Sequence, residues 1–409
     1  MKNLKLRKSL VLLLCLCMTA TMFLASCGSK DPVEESAMPH NSLTGMTEEE
    51  GYDTSADDQR VAAFVVENAP DARPQWGMDD ANYSPDIFLQ GEVEGGITRT
   101  LWLYADYNKL PEVIGPMRSA RPPYVKFSEL FDAVFLHWGK SHSKGSYTGA
   151  STVFRKDKVD HIDQMTYSGE TDLYDRDHTR NVSSEHTGII YGDKVAEAIK
   201  GEGFRKEPND YTKLCFNKEA APVSDQAAVN VGVKYSSKAF EDSYWTYNEE
   251  DGLYHTSDFE NDFTRDNLLV LYDKTEYITK ENYAGPGSAG SVTYCDYKLD
   301  GGKGQLFSKG TVKDIEWKVE DGKLILIDPE TDLETAMAAN EEAFKAAKEA
   351  KAETYEKPYM IAGDDEEEGE EADAEDAAEG DAYVVQPLNK GKTWIGWISS
   401  NNGGKVSIS

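Results

Sequence analysis

Apolar positions along the chain fall into stretches of different period. Leu10 to Leu24 is a largely continuous apolar run of about 15 residues. That is shorter than the ~20 residues a membrane-spanning helix requires and matches the core of an export signal. Residues 28–58 are polar and acidic with no sustained period, which predicts a flexible tether. Arg60 to Val66 is a short continuous apolar run, suited to a strand buried on both faces. A turn-rich stretch follows, marked by Pro70, Pro74, Gly77 and Pro85. Ile97 to Tyr107 then predicts a strand with Leu101, Leu103 and Ala105 on one face. Residues 124–132 predict a helix, Ala133 to Trp138 a buried strand, and residues 192–201 a helix closed by Gly201 and Gly203. Strands alternating with helices point to a mixed α/β domain over residues 59–205.

After a linker at 206–224, period two takes over. Ala228 to Val233 alternates, and Tyr244–Tyr247, the turn at Glu249–Gly252 and Leu253–His255 form a predicted hairpin. Further strands are expected at Asn267–Tyr272, Ser291–Leu299, Gly304–Phe307, Asp314–Val319 and Lys323–Ile327. Residues 225–330 therefore read as a mainly antiparallel β domain. Thr331 to Tyr355, rich in Ala, Glu and Lys, predicts a helix of about six turns, with Thr331 and Glu334 in a capping-box pattern. Asp364 to Asp381 holds twelve acids in eighteen positions and predicts a solvated, disordered tract, since it lacks the fixed glycine and spaced ligands of a calcium loop. Together these make residues 331–382 an insertion. Lys392 to Ile398 returns to strand, so 383–409 supplies the final strand and a tail. The expected fold class is α+β: a mixed α/β N-terminal domain, then a mainly antiparallel β C-terminal domain carrying a helical and acidic insertion.

Charge and cysteines add an address. Lys2, Lys5, Arg7 and Lys8 precede the apolar run and hold that end on the cytoplasmic side. The run closes in Leu24-Ala25-Ser26-Cys27, which resembles the lipobox of bacterial lipoproteins. The resemblance implies removal of residues 1–26 and lipidation of Cys27. Attachment would then be through lipid alone, at the extracytoplasmic face of the cell membrane. The formal charge is −31, and close to −35 without the signal peptide. So acidic a surface repels nucleic acid and gains nothing from anionic headgroups. An anionic ligand would need a local basic pocket. Cys215 and Cys295, 80 positions apart, could pair in an exported protein or remain free buried thiols. No CxxC and no zinc spacing occurs, so neither a metal nor a cofactor is expected. GxSxG, HExxH and P-loop signatures are also missing.

Two stretches stand apart from scaffold. One runs from Arg73-Pro74-Gln75-Trp76-Gly77 to Glu92-Val93-Glu94-Gly95-Gly96-Ile97-Thr98-Arg99. The other is Gly115-Pro116-Met117-Arg118-Ser119-Ala120-Arg121, before the strand ending in His137-Trp138-Gly139. In content and order these elements resemble the signatures of the YerB-like lipoproteins of bacteria, over residues 60–330 and 383–400. The resemblance implies an envelope location and paired N- and C-terminal domains, but no activity. The chain departs from the pattern at Ser183-Ser184-Glu185-His186-Thr187, where only His186 matches, and at the insertion.

The residues themselves leave three readings open. Glu92 and Glu94, two apart on a strand, would share a face and could divide acid and base roles. Gly95 and Gly96 would let a ligand approach the backbone. Arg99, Arg118 and Arg121 suit a bidentate grip on a carboxylate or phosphate. His137 could shuttle protons or sit satisfied in the core. The same set could bind a cell-wall component, hydrolyse or transfer an envelope bond, or form an ion-pair lock that ties loops to a sheet. A further reading is a scaffold that docks an envelope protein on exposed aromatic residues.

Overall fold

A computed structural model describes residues 32–34, 40–209, 211–283, 290–362 and 382–409. The expected signal peptide, Cys27 and the acidic tract lie outside the described residues. The backbone divides into two units, Met1–Ala37 with Thr331–Ala382, and Met38–Glu330 with Tyr383–Ser409.

The larger unit is built on a ten-stranded mixed sheet. Its strands are β1 (Ala62–Glu67), β2 (Ile87–Glu92), β3 (Thr98–Tyr104), β4 (Val134–His137), β5 (His161–Asp163), β6 (Asn267–Asp273), β7 (Gly301–Ser308), β8 (Thr311–Glu320), β9 (Lys323–Ile327) and β10 (Thr393–Ser399). They lie in the order β9-β8-β7-β6-β10-β2-β3-β1-β4-β5. β1, β4 and β5 are parallel, as are β2, β10 and β6, and β3 is antiparallel to both β1 and β2. Both faces are covered. Leu101, Leu103, Ile395 and Trp397 enter one core with α1 (Pro122–Glu129) and α2 (Ala150–Asp157). Trp102, Tyr104, Trp394 and Ile398 enter the other, with α3 (Gly192–Gly201) and a five-stranded sheet. That second sheet pairs Asn230–Lys234, Ser243–Asn248, Leu253–Thr256 and Phe263–Arg265 with Lys405–Ile408. Burial of both faces explains why β1 reads as a continuous apolar run rather than an alternating one.

One consequence departs from expectation. The two halves do not close separate sheets, because β10 lies between β6 and β2 and is parallel to each. Leu268↔Trp394↔Phe88 is one rung of that junction. The strand expected to finish the C-terminal domain instead sits mid-sheet. β2 has no predicted range in the sequence reading, since Pro85 precedes it and Gly91 lies within it.

Residues 40–58 are also packed rather than tethering. Asn41 Oδ1 accepts from the backbone of Leu43 and Thr44, Leu43 is fully buried, and the Gly391 amide donates to Thr44 O. One docked leucine and a local turn need no periodicity, so the hydrophobic pattern could not reveal them. Within the 206–224 linker, Thr212 and Leu214 are buried, and the Thr212 amide donates to Leu130 O.

In the smaller unit, α4 (Leu333–Ala350) is capped by Asp332, whose carboxylate accepts from the Thr335 amide at 3.1 Å. The expected cap at Thr331 is displaced by one residue, to the stronger capping type. The helix ends earlier than expected, at a left-handed Lys351. Val33–Glu34 pairs in parallel with Thr354–Tyr355. Among the described residues no helix is long and apolar enough to cross a membrane. Cys295 is a buried free thiol, so the two cysteines are not joined in a disulfide.

Candidate functional site

Strands running in the same direction leave their carboxyl ends along one edge, where open α/β sheets gather ligands. Glu67, Glu92, His137 and Asp163 are the last residues of β1, β2, β4 and β5. Arg99, near the start of antiparallel β3, pairs in register with Glu67 on one side and Gly91 on the other. The 115–121 segment threads across this edge. Glu67 N donates to Pro116 O, Arg118 N to Val65 O, Trp138 N to Arg118 O, and Ala120 N to Gly139 O. Backbone pairing thus delivers Arg118 and Arg121 to the edge.

The expected residues separate into distinct clusters. Glu94 is held between Arg99 at 3.2 Å and Arg121, which reaches it through Nε at 2.8 Å and through Nη2. Arg99 and Arg121 also donate to Ser119 O. The Arg121 guanidinium lies 5.5 Å from the Tyr294 ring, itself stacked on Tyr147 at 4.1 Å. Burial opposes the Glu94 charge, but Arg99 and Arg121 outweigh it and hold the carboxyl well below the usual range. Burial likewise opposes the Arg121 charge, and Glu94 overcomes it and raises the guanidinium pKa. A carboxylate held this way is ionised at neutral pH and has no proton to donate.

Glu92 has other partners. Its Oε2 accepts from Ser236 Oγ at 2.6 Å and Tyr277 OH at 2.8 Å, and the residue is buried. The expected shared face is lost because the strand stops at Glu92, and the chain then turns through Gly95 and Gly96 at positive φ. A Cβ on Gly96 would lie 2.3 Å from Lys238 O, so the close approach this glycine permits is made by the chain itself.

His137 is fully buried. Its Nδ1 donates to Gly139 O at 2.7 Å, which leaves Nε2 to accept from His161 Nδ1 at 3.0 Å. Phe154 stacks on both rings. Burial pushes both histidines down, His161 to about 4 and His137 further, so the pair is neutral at pH 7. Asp163 accepts from the Gly139 amide at 2.7 Å and pairs with Lys140 at 2.6 Å.

Of the expected site residues, Arg118 lines a cavity at this edge. The cavity, of about 440 Å³, is also lined by Ser119, Trp138, Lys140, Asp163 and Arg176. Arg118 Nε is 2.9 Å from Glu67 Oε1, and its Nη2 is 3.2 Å from Glu185 Oε2. His186 Nδ1 lies 2.8 Å from the other Glu67 oxygen. Arg176 lies over the Trp138 ring at 4.4 Å and donates to Ser184 O. Arg176 and Asp163 escaped the sequence reading because isolated charged residues in short strands carry no spacing signal. Trp138 and Lys140 adjoin a motif that was visible. Among the described residues no group of three or more His, Cys, Asp or Glu is placed to hold a metal.

A mixed sheet with its ionic residues gathered at the carboxyl edge and an uncommitted cavity beside them defines a class of structure rather than an activity. Residues 43–205 match the family described as "Protein of unknown function (DUF3048) N-terminal domain". The chain is 28% identical over 310 residues to the putative lipoprotein YerB of Bacillus subtilis (strain 168), covering 74% of this chain and 85% of that protein. The crystal structure of YerB from Bacillus subtilis superposes with a TM-score of 0.60 at 21% identity, over 90% of this chain and 99% of that one. The resemblance to the YerB-like lipoproteins read from the motifs is borne out.

Proposed function

We propose that this chain is a lipid-anchored envelope protein, held at the extracytoplasmic face of the membrane through Cys27. It binds a polar or anionic component of the cell envelope in the cavity at the carboxyl ends of β1, β4 and β5. The observation that carries the reading is the lining. In a chain of net charge −31, Arg118, Lys140 and Arg176 converge on one cavity of about 440 Å³, within the range of small-molecule sites. Arg176 is held in place by the Trp138 ring, so little side-chain entropy remains to be lost on binding. Arg99, Arg121 and Glu94 stand behind this site as an ion-pair lock on the loops that shape it. A relative named as a putative lipoprotein supports the membrane setting.

The test has two parts. Mature protein in detergent is titrated with purified wall fragments by calorimetry, alongside Lys140→Ala and Arg176→Ala. Saturable heat in the wild type that both variants lose is the expected result, and a wild type with no heat at all removes the binding reading in favour of a docking scaffold. For the anchor, a palmitate analogue should label the wild type and not Cys27→Ala. Equal membrane retention of both forms would end the lipid proposal.

A further inference from the structure

We infer that Glu185 is an internal stand-in for the ligand: it occupies Arg118 at the rim of the cavity and gives way to a singly charged carboxylate. The inference rests on the cavity reading above and names the ligand class for it.

The three cations of the lining differ in how they are neutralised. Lys140 is paired with Asp163, whose side chain is 2% exposed. Arg118 Nε is paired with Glu67, also 2% exposed, and Glu67 is further fixed by His186. Both carboxylates are locked. Arg176 has no carboxylate within ion-pair distance among the described residues; its donors meet Ser184 O and Thr187 Oγ1. One positive charge is therefore left over, and Glu185 balances it from the outer side of Arg118. It approaches Nη2 at 3.2 Å while its own backbone carbonyl accepts from Nη1 at 3.3 Å.

Glu185 is the loosely held member of the set. Its side chain is 57% exposed, and the ring of His186 lies 3.8 Å from its other carboxylate oxygen. Exposed ion pairs are weak, so an incoming carboxylate can replace this one at small cost. The backbone that carries it does not need to move. Ser184 O accepts from Arg176 and from Thr187 Oγ1 at 2.9 Å, and His186 is anchored on Glu67, so only the Glu185 side chain must swing outward. The cavity then holds one unbalanced charge, flanked by two guanidiniums that suit a planar two-oxygen anion. A dianion would overcharge the site.

The experiment uses the mature chain and three probes that differ in one group: N-acetylmuramic acid (a sugar with one carboxylate), N-acetylglucosamine (neutral) and N-acetylglucosamine 6-phosphate. Glu185→Gln should bind the carboxylate about fivefold more tightly than wild type, the ~1 kcal/mol of an exposed ion pair, and leave the neutral sugar unchanged. Arg176→Ala and Arg118→Lys, the latter keeping a charge for Glu67, should both lose carboxylate binding. If Glu185→Gln binds no better while Arg176→Ala still loses binding, the stand-in is overturned and the cavity reading survives. If the phosphate binds as tightly as the carboxylate, the ligand class is wrong. If no form binds any probe, both readings fall together.

Discussion

Glu92 and Glu94 show how far two similar side chains can diverge within one turn. Both are glutamates of the same motif, yet one accepts from two hydroxyls and the other from two guanidiniums. Removing the Glu94 charge leaves Arg99, which is 2% exposed, with carbonyl partners alone. Breaking one partner of a buried ion network costs about 3 kcal/mol. Glu94→Gln should therefore lower the unfolding free energy measured by urea denaturation at pH 7 by that amount. The pH dependence follows from the depressed carboxyl. The Glu94 contribution is complete above the ordinary glutamate pKa of 4.5 and is lost progressively as pH falls below it towards the folded value. The gap between wild type and Glu94→Gln should accordingly narrow at pH 3. An equal gap at both pH values would show that Glu94 acts by packing and not by charge.

At the scale of elements, β10 is the joint of the molecule. Its seven residues are all buried, and it pairs with β6 on one side and β2 on the other. Gly396 at its centre is needed because a Cβ there would lie 2.5 Å from the Trp394 ring, itself held against Trp245. Gly396→Val should destabilise by ~1–3 kcal/mol through overpacking, read as a lower thermal midpoint; an unchanged midpoint would mean that Trp394 has room to move. The antiparallel arm of Thr275–Tyr283 and Gly290–Tyr297 has a comparable reach. It brings Tyr277 to Glu92 and Tyr294 to Arg121, so residues from the second half complete the loop lock of the first. Much at this scale was legible: β1, β3, β4, α3 and the hairpin at 243–256 follow their hydrophobic periods. β2, β5 and α2 were not, because short or glycine-containing elements carry few periods to count.

At the scale of the whole molecule, residues 331–382 are expected to behave as an insertion into the larger unit. The chain leaves the larger unit after Glu330 and returns at Tyr383. The crossing is closed within that unit, where Asp328 N donates to Val384 O at 2.9 Å and Gln386 N to Leu326 O at 2.9 Å. Replacing residues 331–382 by a short Gly-Ser connection should keep the thermal midpoint within ~2 °C, the scale of a surface change. A collapse of the midpoint would make the insertion part of the folding unit.

By itself the sequence determined the family resemblance, the acidic character and most long strands, and it supplied the expectation of a lipoprotein address, since each rests on local composition or on periods a few residues long. Only the tertiary structure decided that the two halves share one sheet, that Glu94, Arg99 and Arg121 close on one another while Arg118 faces a cavity, and that Asp163, Arg176 and Glu185 join it. These depend on which strand ends are brought side by side. That is fixed by pairing between residues as far apart as Phe88 and Trp394, a separation at which hydrophobic period carries no information.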